Sequence, residues 1–210
     1  MDKLFTIGHS NHETGRFIEL LAMHRITVLC DVRSSPYSRH NPQFNRELLQ
    51  GALKAGGIAY VFLGNELGPR SDDPACYVDG KVRYARLAAT ENFRRGLERL
   101  RAGMKTYRVA IMCAEKDPIG CHRMILVCRA LRKEPVEIEH ILEDGSLEPL
   151  RRSEQRMLLE LKLPQLRLFE DPEGLIQRAY DTQGERIAYV RDGEEEQESP
   201  GAQREDTWQR

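Results

Sequence analysis

Gly120-Cys121-His122-Arg123 sets a thiol, an imidazole and a guanidinium in a row, where a loop turns into a strongly apolar stretch that reads as a helix. A helix start offers unpaired N–H groups and the positive end of a dipole, which suits an anion. Gly120 would let that anion come close to the backbone, and Arg123 would add a fork of donors. The same dipole would favour the thiolate of Cys121, making it a candidate nucleophile. Glu115, six residues earlier, is placed as a general acid or base. A plainer alternative makes Cys121 a small capping hydrophobe and pairs Arg123 with Asp31 or Glu115.

Other chemistry-bearing residues follow short β-branched or apolar runs. Leu4–Ile7 is followed by Gly8-His9-Ser10-Asn11-His12. Thr27–Val32 carries Asp31 and leads into Arg33, then Arg39-His40. Ile58–Leu63 leads into Gly64-Asn65-Glu66-Leu67-Gly68, and Tyr107–Met112 into Cys113-Ala114-Glu115. Val136–Ile141 alternates at period two as a fifth strand. Helical patterns separate these strands. One starts at Thr14, one is capped at Asn45, one covers Ala85–Arg101 and one covers Cys121–Arg132. Strands alternating with helices predict an α/β fold: a mostly parallel sheet with helices on both faces, Rossmann-like in its three layers. Parallel strands share one carboxyl edge, where ligands bind. The geometry therefore predicts one site, with Glu115, Cys121 and Asp31 as catalytic candidates. His9, Ser10, Arg33, Arg39, Gly120, His122 and Arg123 are the candidates to bind substrate or anion.

Residues 1–150 hold this pattern. Residues 151–191 read as a helical extension packed on the core, opened by a charged helix over Ser153–Lys162. A second helix starts at Asp171-Pro172, with proline at a favoured first position. Residues 192–210 carry seven acids against two arginines and read as a disordered tail.

Composition excludes several classes. No apolar run approaches the roughly 18 residues that span a bilayer, and the opening residues lack a signal-peptide layout. Five cysteines, an odd number, fit reduced thiols and a cytoplasmic location. Net charge is -1; without the tail the chain is only mildly basic, short of a strong nucleic-acid footprint. A Cys-x5-Arg phosphatase or rhodanese loop is missing, because Cys113 lies too far from Arg123 and Cys121 too near. Zinc fingers and ribbons need short paired spacings, whereas seven residues separate Cys113 from Cys121. No cofactor is predicted. A divalent metal held by His9, His12, Cys113 and His122 is one alternative. No dinucleotide fingerprint or P-loop is present.

Thr6-Ile7-Gly8-His9-Ser10, Asp31-Val32-Arg33 with Pro36 and Ser38, Leu67-Gly68, Cys113-Ala114-Glu115 with Pro118, and Cys121-His122-Arg123 together resemble the family of domains of unknown function DUF488. The resemblance runs from about Leu4 to Leu150 and implies an intracellular microbial α/β protein. It brings no established reaction. The residues themselves suggest an enzyme, a hydrolase or transferase, acting on a phosphate-bearing substrate such as a nucleotide or nucleic acid. A non-catalytic nucleotide or nucleic-acid binding or sensing module is the competing reading.

Overall fold

In the computed structural model, which describes residues 2–163 and 171–191, the chain runs β1 (Asp2–Gly8), α1 (Thr14–Met23), β2 (Val28–Asp31), α2 (Arg46–Ala55), β3 (Ala59–Phe62) and α3 (Gly64–Leu67). A small hairpin of β4 (Tyr77–Val78) and β5 (Lys81–Val82) follows, then α4 (Tyr84–Ala88), α5 (Glu91–Met104) and β6 (Val109–Cys113). A π-helical turn over Arg123–Cys128 continues into α6 (Arg129–Leu131). The chain then passes through β7 (Val136–Ile141), β8 (Leu147–Pro149), α7 (Leu150–Glu160) and α8 (Pro172–Ile187). The predicted acidic tail lies outside the described residues.

The main sheet has strand order β3-β2-β6-β1-β7-β8. Its first five strands are parallel, and β8 adds antiparallel to β7. The period of two divides the inner strands between two cores. Leu4, Val28, Cys30, Val109 and Ile111 face one core, which also takes Leu97, Ile125, Met157 and Tyr180 from α5, the π turn, α7 and α8. Phe5, Ile7, Leu29, Ala110 and Met112 face the other, closed by Phe17 and Leu21 of α1 and Leu49 and Leu53 of α2. Every residue of β2 and β6 is buried, as expected of inner parallel strands covered on both faces. The fold is the expected α/β arrangement. No described helix is long and apolar enough to cross a membrane.

Four local details differ from the sequence reading. The helix expected over Ala85–Arg101 is two helices, because Thr90 restarts it by accepting the Phe93 amide at 3.2 Å. The stretch from Gly64 to Arg83 contains α3 and the hairpin rather than a bare loop. At the start of α2, Asn45 holds the cap position, but its side chain instead accepts from the Ser38 amide at 2.7 Å. Glu13, not Thr14, holds the cap position of α1.

Candidate functional site

Parallel pairing sets the exits of β1, β2 and β6 side by side. Gly8 is paired with Cys113, and Asp31 with Met112. The ladder continues past the strands: the His9 amide donates to Cys113 O and the Ser10 amide to Ala114 O, both at 2.9 Å. Gly8 is required here. A Cβ on it would stand 1.9 Å from the carbonyl oxygen of Glu115, so the loop after β6 folds back over a position with no side chain.

Asp31 and Arg33 form a closed buried unit. The Arg33 guanidinium reaches Asp31 Oδ1 at 2.9 Å through Nε and Oδ2 at 2.6 Å through Nη2, while Tyr60 Oη donates to Oδ2 at 2.9 Å. Arg33 also donates to the Phe44 carbonyl at 2.9 Å and contacts His9 Nε2 at 3.3 Å. His9 Nδ1 donates to its neighbour Ser10 O at 2.8 Å, leaving Nε2 as the acceptor for Arg33. Its ring stacks on Phe44 with centroids 4.4 Å apart. Burial, with Arg33 adding to it, lowers the His9 pKa to about 4, so the ring is neutral. These groups hold one another and position the edge. Ser10 turns the chain with φ +48° and bonds Asn11, and Arg39 is exposed on the loop after β2.

Arg123 is fully buried. It donates to Glu115 O at 2.6 Å, Lys116 O at 2.9 Å and, more weakly, Thr6 Oγ1 at 3.4 Å. It therefore clamps the β6 loop from beneath and turns no donor toward a ligand. Thr6 also bonds the buried His140 Nδ1 at 2.8 Å. His140 Nε2 has no hydrogen-bond partner among the described residues. Burial and then the charge of Arg123 lower the His140 pKa to about 3. An unfolded chain takes up this proton near pH 6.5, whereas the folded one resists until about pH 3. Stability should therefore rise with pH across that window. Wild type is expected to lose about 2 kcal/mol from this group between pH 6.5 and 4.5. Urea unfolding at both pH values checks it: His140→Asn should show a shallower decline, and an equally steep one assigns the effect elsewhere.

The chemistry gathers one layer above Arg123. Cys113 Sγ and Cys121 Sγ each lie 3.0 Å from the same oxygen, Glu115 Oε2. His122 Nε2 donates to the Val32 carbonyl at 3.0 Å. That bond fixes the tautomer and leaves the Nδ1 lone pair facing the thiols, 3.4 Å from Cys113 and 3.9 Å from Cys121. The potential ligand atoms of these four residues all lie within 4.8 Å of one another. Burial would push the Glu115 carboxyl pKa up, but the hydrogen bonds with Cys121 and Cys113 outweigh it and the net shift is downward. The expected activation of Cys121 is not met. Its thiol is 1% exposed, and burial, reinforced by Cys113, pushes its pKa well up. The segment that follows is helical from His122 to Leu131, close to the expected Cys121–Arg132, but with π-helical geometry over Arg123–Cys128.

A cavity of about 200 Å³ opens beside this cluster, with Arg70, Tyr84, Glu115, Gly120, His122 and Tyr189 in its wall. Larger hollows, of about 380 and 520 Å³, lie elsewhere and reach neither the thiols nor His122. Arg70 and Tyr189 escaped the sequence reading; the guanidinium sits 4.1 Å from the centre of the tyrosine ring. The segment after α8 is strapped to the hairpin, the Val82 amide donating to Tyr189 O at 2.9 Å and the Arg191 amide to Gly80 O at 2.8 Å.

The metal set imagined from His9, His12, Cys113 and His122 is not the one brought together: Cys121 and Glu115 stand where the two early histidines were expected. The model of the family described as a domain of unknown function, DUF488, matches residues 13–130, more than half of the chain. The chain belongs to the DUF488 family. No curated protein and no solved structure shows significant similarity to it. In this DUF488 protein the matched span contains Cys113, Glu115, Cys121, His122 and Arg70, while Tyr189 lies beyond it.

Proposed function

We propose that this DUF488 protein is an enzyme, a hydrolase or transferase, acting on a small phosphate-bearing substrate in the cavity beside Glu115. One observation carries the reading. The Glu115 carboxylate and the Arg70 guanidinium share the wall of one small cavity, and Arg70 has no carboxylate partner among the described residues. An arginine that stacks on a ring but has no acidic partner in a concave site is suited to hold an anion by two parallel donors. A carboxylate held ionised beside it is suited to accept a proton. The cavity has room for a phosphate and a small attached group, not for a polymer, so a nucleotide or the end of a nucleic acid is the larger partner it would admit.

The test is a turnover screen across sugar phosphates, nucleotides and short oligonucleotides, with inorganic phosphate as the competing probe. Glu115→Gln is expected to lower kcat by about 10²- to 10⁴-fold while phosphate still binds. Arg70→Met should raise KM, and weaken phosphate binding, by about 10- to 100-fold. Phosphate binding that is absent, or indifferent to Arg70, removes this reading.

A further inference from the structure

We propose that Cys113, Glu115, Cys121 and His122 form a binding site for a single divalent zinc ion at the carboxyl edge of the sheet. The inference deepens the reading of the cavity as an active site, because it names the cofactor that would serve it.

The ligand chemistry is the first argument. Two thiols, one imidazole nitrogen and one carboxylate oxygen are the set a tetrahedral zinc takes up. In such a site neighbouring ligand atoms lie about 3.5–3.8 Å apart, given the usual bond lengths. Here the two sulfurs and Nδ1 are 3.4 and 3.9 Å apart, and each sulfur is 3.0 Å from Glu115 Oε2. All four ligand atoms lie within 4.8 Å of one another, so small side-chain adjustments bring them to the spacing a bound ion requires.

The surroundings are the second, independent argument. A zinc-binding histidine characteristically donates its other ring N–H to a carbonyl or carboxylate, and His122 does so to Val32 O. The Arg123 amide points at Cys121 Sγ from 3.5 Å, the kind of contact that steadies a thiolate. Two thiolates, a carboxylate and a zinc ion sum to one negative charge, and the buried Arg123 guanidinium, bonded to Glu115 O, lies in position to balance it. Without an ion, the side-chain donors that reach Glu115 Oε2 among the described residues are two weak S–H groups.

Burial then divides the roles. Cys113, Cys121 and His122 are 4%, 1% and 4% exposed, whereas Glu115 is exposed and lines the cavity. The first three are the fixed ligands, and the Glu115 position is the one a substrate oxygen takes over. That is the layout of a catalytic zinc site rather than a closed structural one. A zinc ion there would polarise an oxygen of the bound substrate.

The test uses the full chain, purified under reducing conditions, stripped by a chelator and titrated with zinc against a chromophoric competitor, with cobalt as the spectroscopic probe. One equivalent should bind, and cobalt should give tetrahedral visible bands with a sulfur-to-metal charge-transfer band. Cys113→Ser and Cys121→Ser should each weaken zinc by more than about 100-fold and weaken the charge-transfer band, while Glu115→Gln costs about 10-fold. Cys76→Ser, outside the cluster, should bind like wild type. Circular dichroism separates lost ligands from lost fold. Wild type that takes up no stoichiometric metal, or folded cysteine variants that bind unchanged, overturns the site. Inorganic phosphate binding is measured separately. Phosphate bound without zinc leaves the cavity reading standing alone, and zinc bound without phosphate leaves the metal site standing alone.

Discussion

Asp31→Asn is expected to destabilise the fold by about 3–5 kcal/mol. Asp31 is fully buried and takes a two-pronged contact from Arg33, the Arg33 amide at 3.1 Å and the Tyr60 hydroxyl. Asparagine keeps the shape but removes the charge, and Arg33, only 6% exposed, is then an uncompensated buried cation. Breaking one partner out of such a pair costs far more than the pair contributes net. Tyr60→Phe removes a single bond to the same carboxylate and should cost about 1.5–3 kcal/mol. Urea unfolding of the two variants and wild type makes the comparison. A loss below that of Tyr60→Phe would mean that Arg33 finds another counter-ion, and that the edge is not held as described.

Arg123→Met should be comparably costly, about 3–5 kcal/mol, by a different route. Methionine fills much of the volume, but the carbonyls of Glu115 and Lys116 lose their donors, each worth about 1–3 kcal/mol when left unsatisfied. Lysine keeps the charge but has no planar fork to reach two carbonyls at once, so Arg123→Lys should recover only part of the loss. The effect should be local as well as global. Amide hydrogen exchange over residues 113–119 is expected to accelerate in Arg123→Met before β1 or β2 responds. Uniform acceleration across the sheet would instead make Arg123 an ordinary core residue.

Much of the site's location was readable from residue order, and little of its wiring. Once strands alternate with helices, the exits of β1, β2 and β6 have to share an edge, and Asp31, Cys113 and Glu115 are found there. β8 escaped because Leu147-Glu148-Pro149 is three residues long and ends in proline. The roles of Arg33 and Arg123 were hidden for a physical reason. A guanidinium suits a phosphate and a buried carbonyl equally well, and only burial tells which it meets. Cys113 and Cys121 fail the short-spacing rule for zinc because that rule describes knuckles and turns. Here a strand end and the loop just before the π turn supply the two thiols from different directions. Arg70 and Tyr189 lie too far apart in the chain for any local pattern to join them.

The strapping of the segment after α8 onto the β4–β5 hairpin brings Tyr189 into the cavity wall and, on the proposed reading, sets selectivity apart from reactivity. The thiol–carboxylate–imidazole cluster, Cys113 through His122, lies inside the span that the family model matches, whereas Tyr189 at the cavity wall comes from chain beyond it. On that reading, a chain that kept the cluster and exchanged the residue at Tyr189 would run the same chemistry on a differently shaped guest.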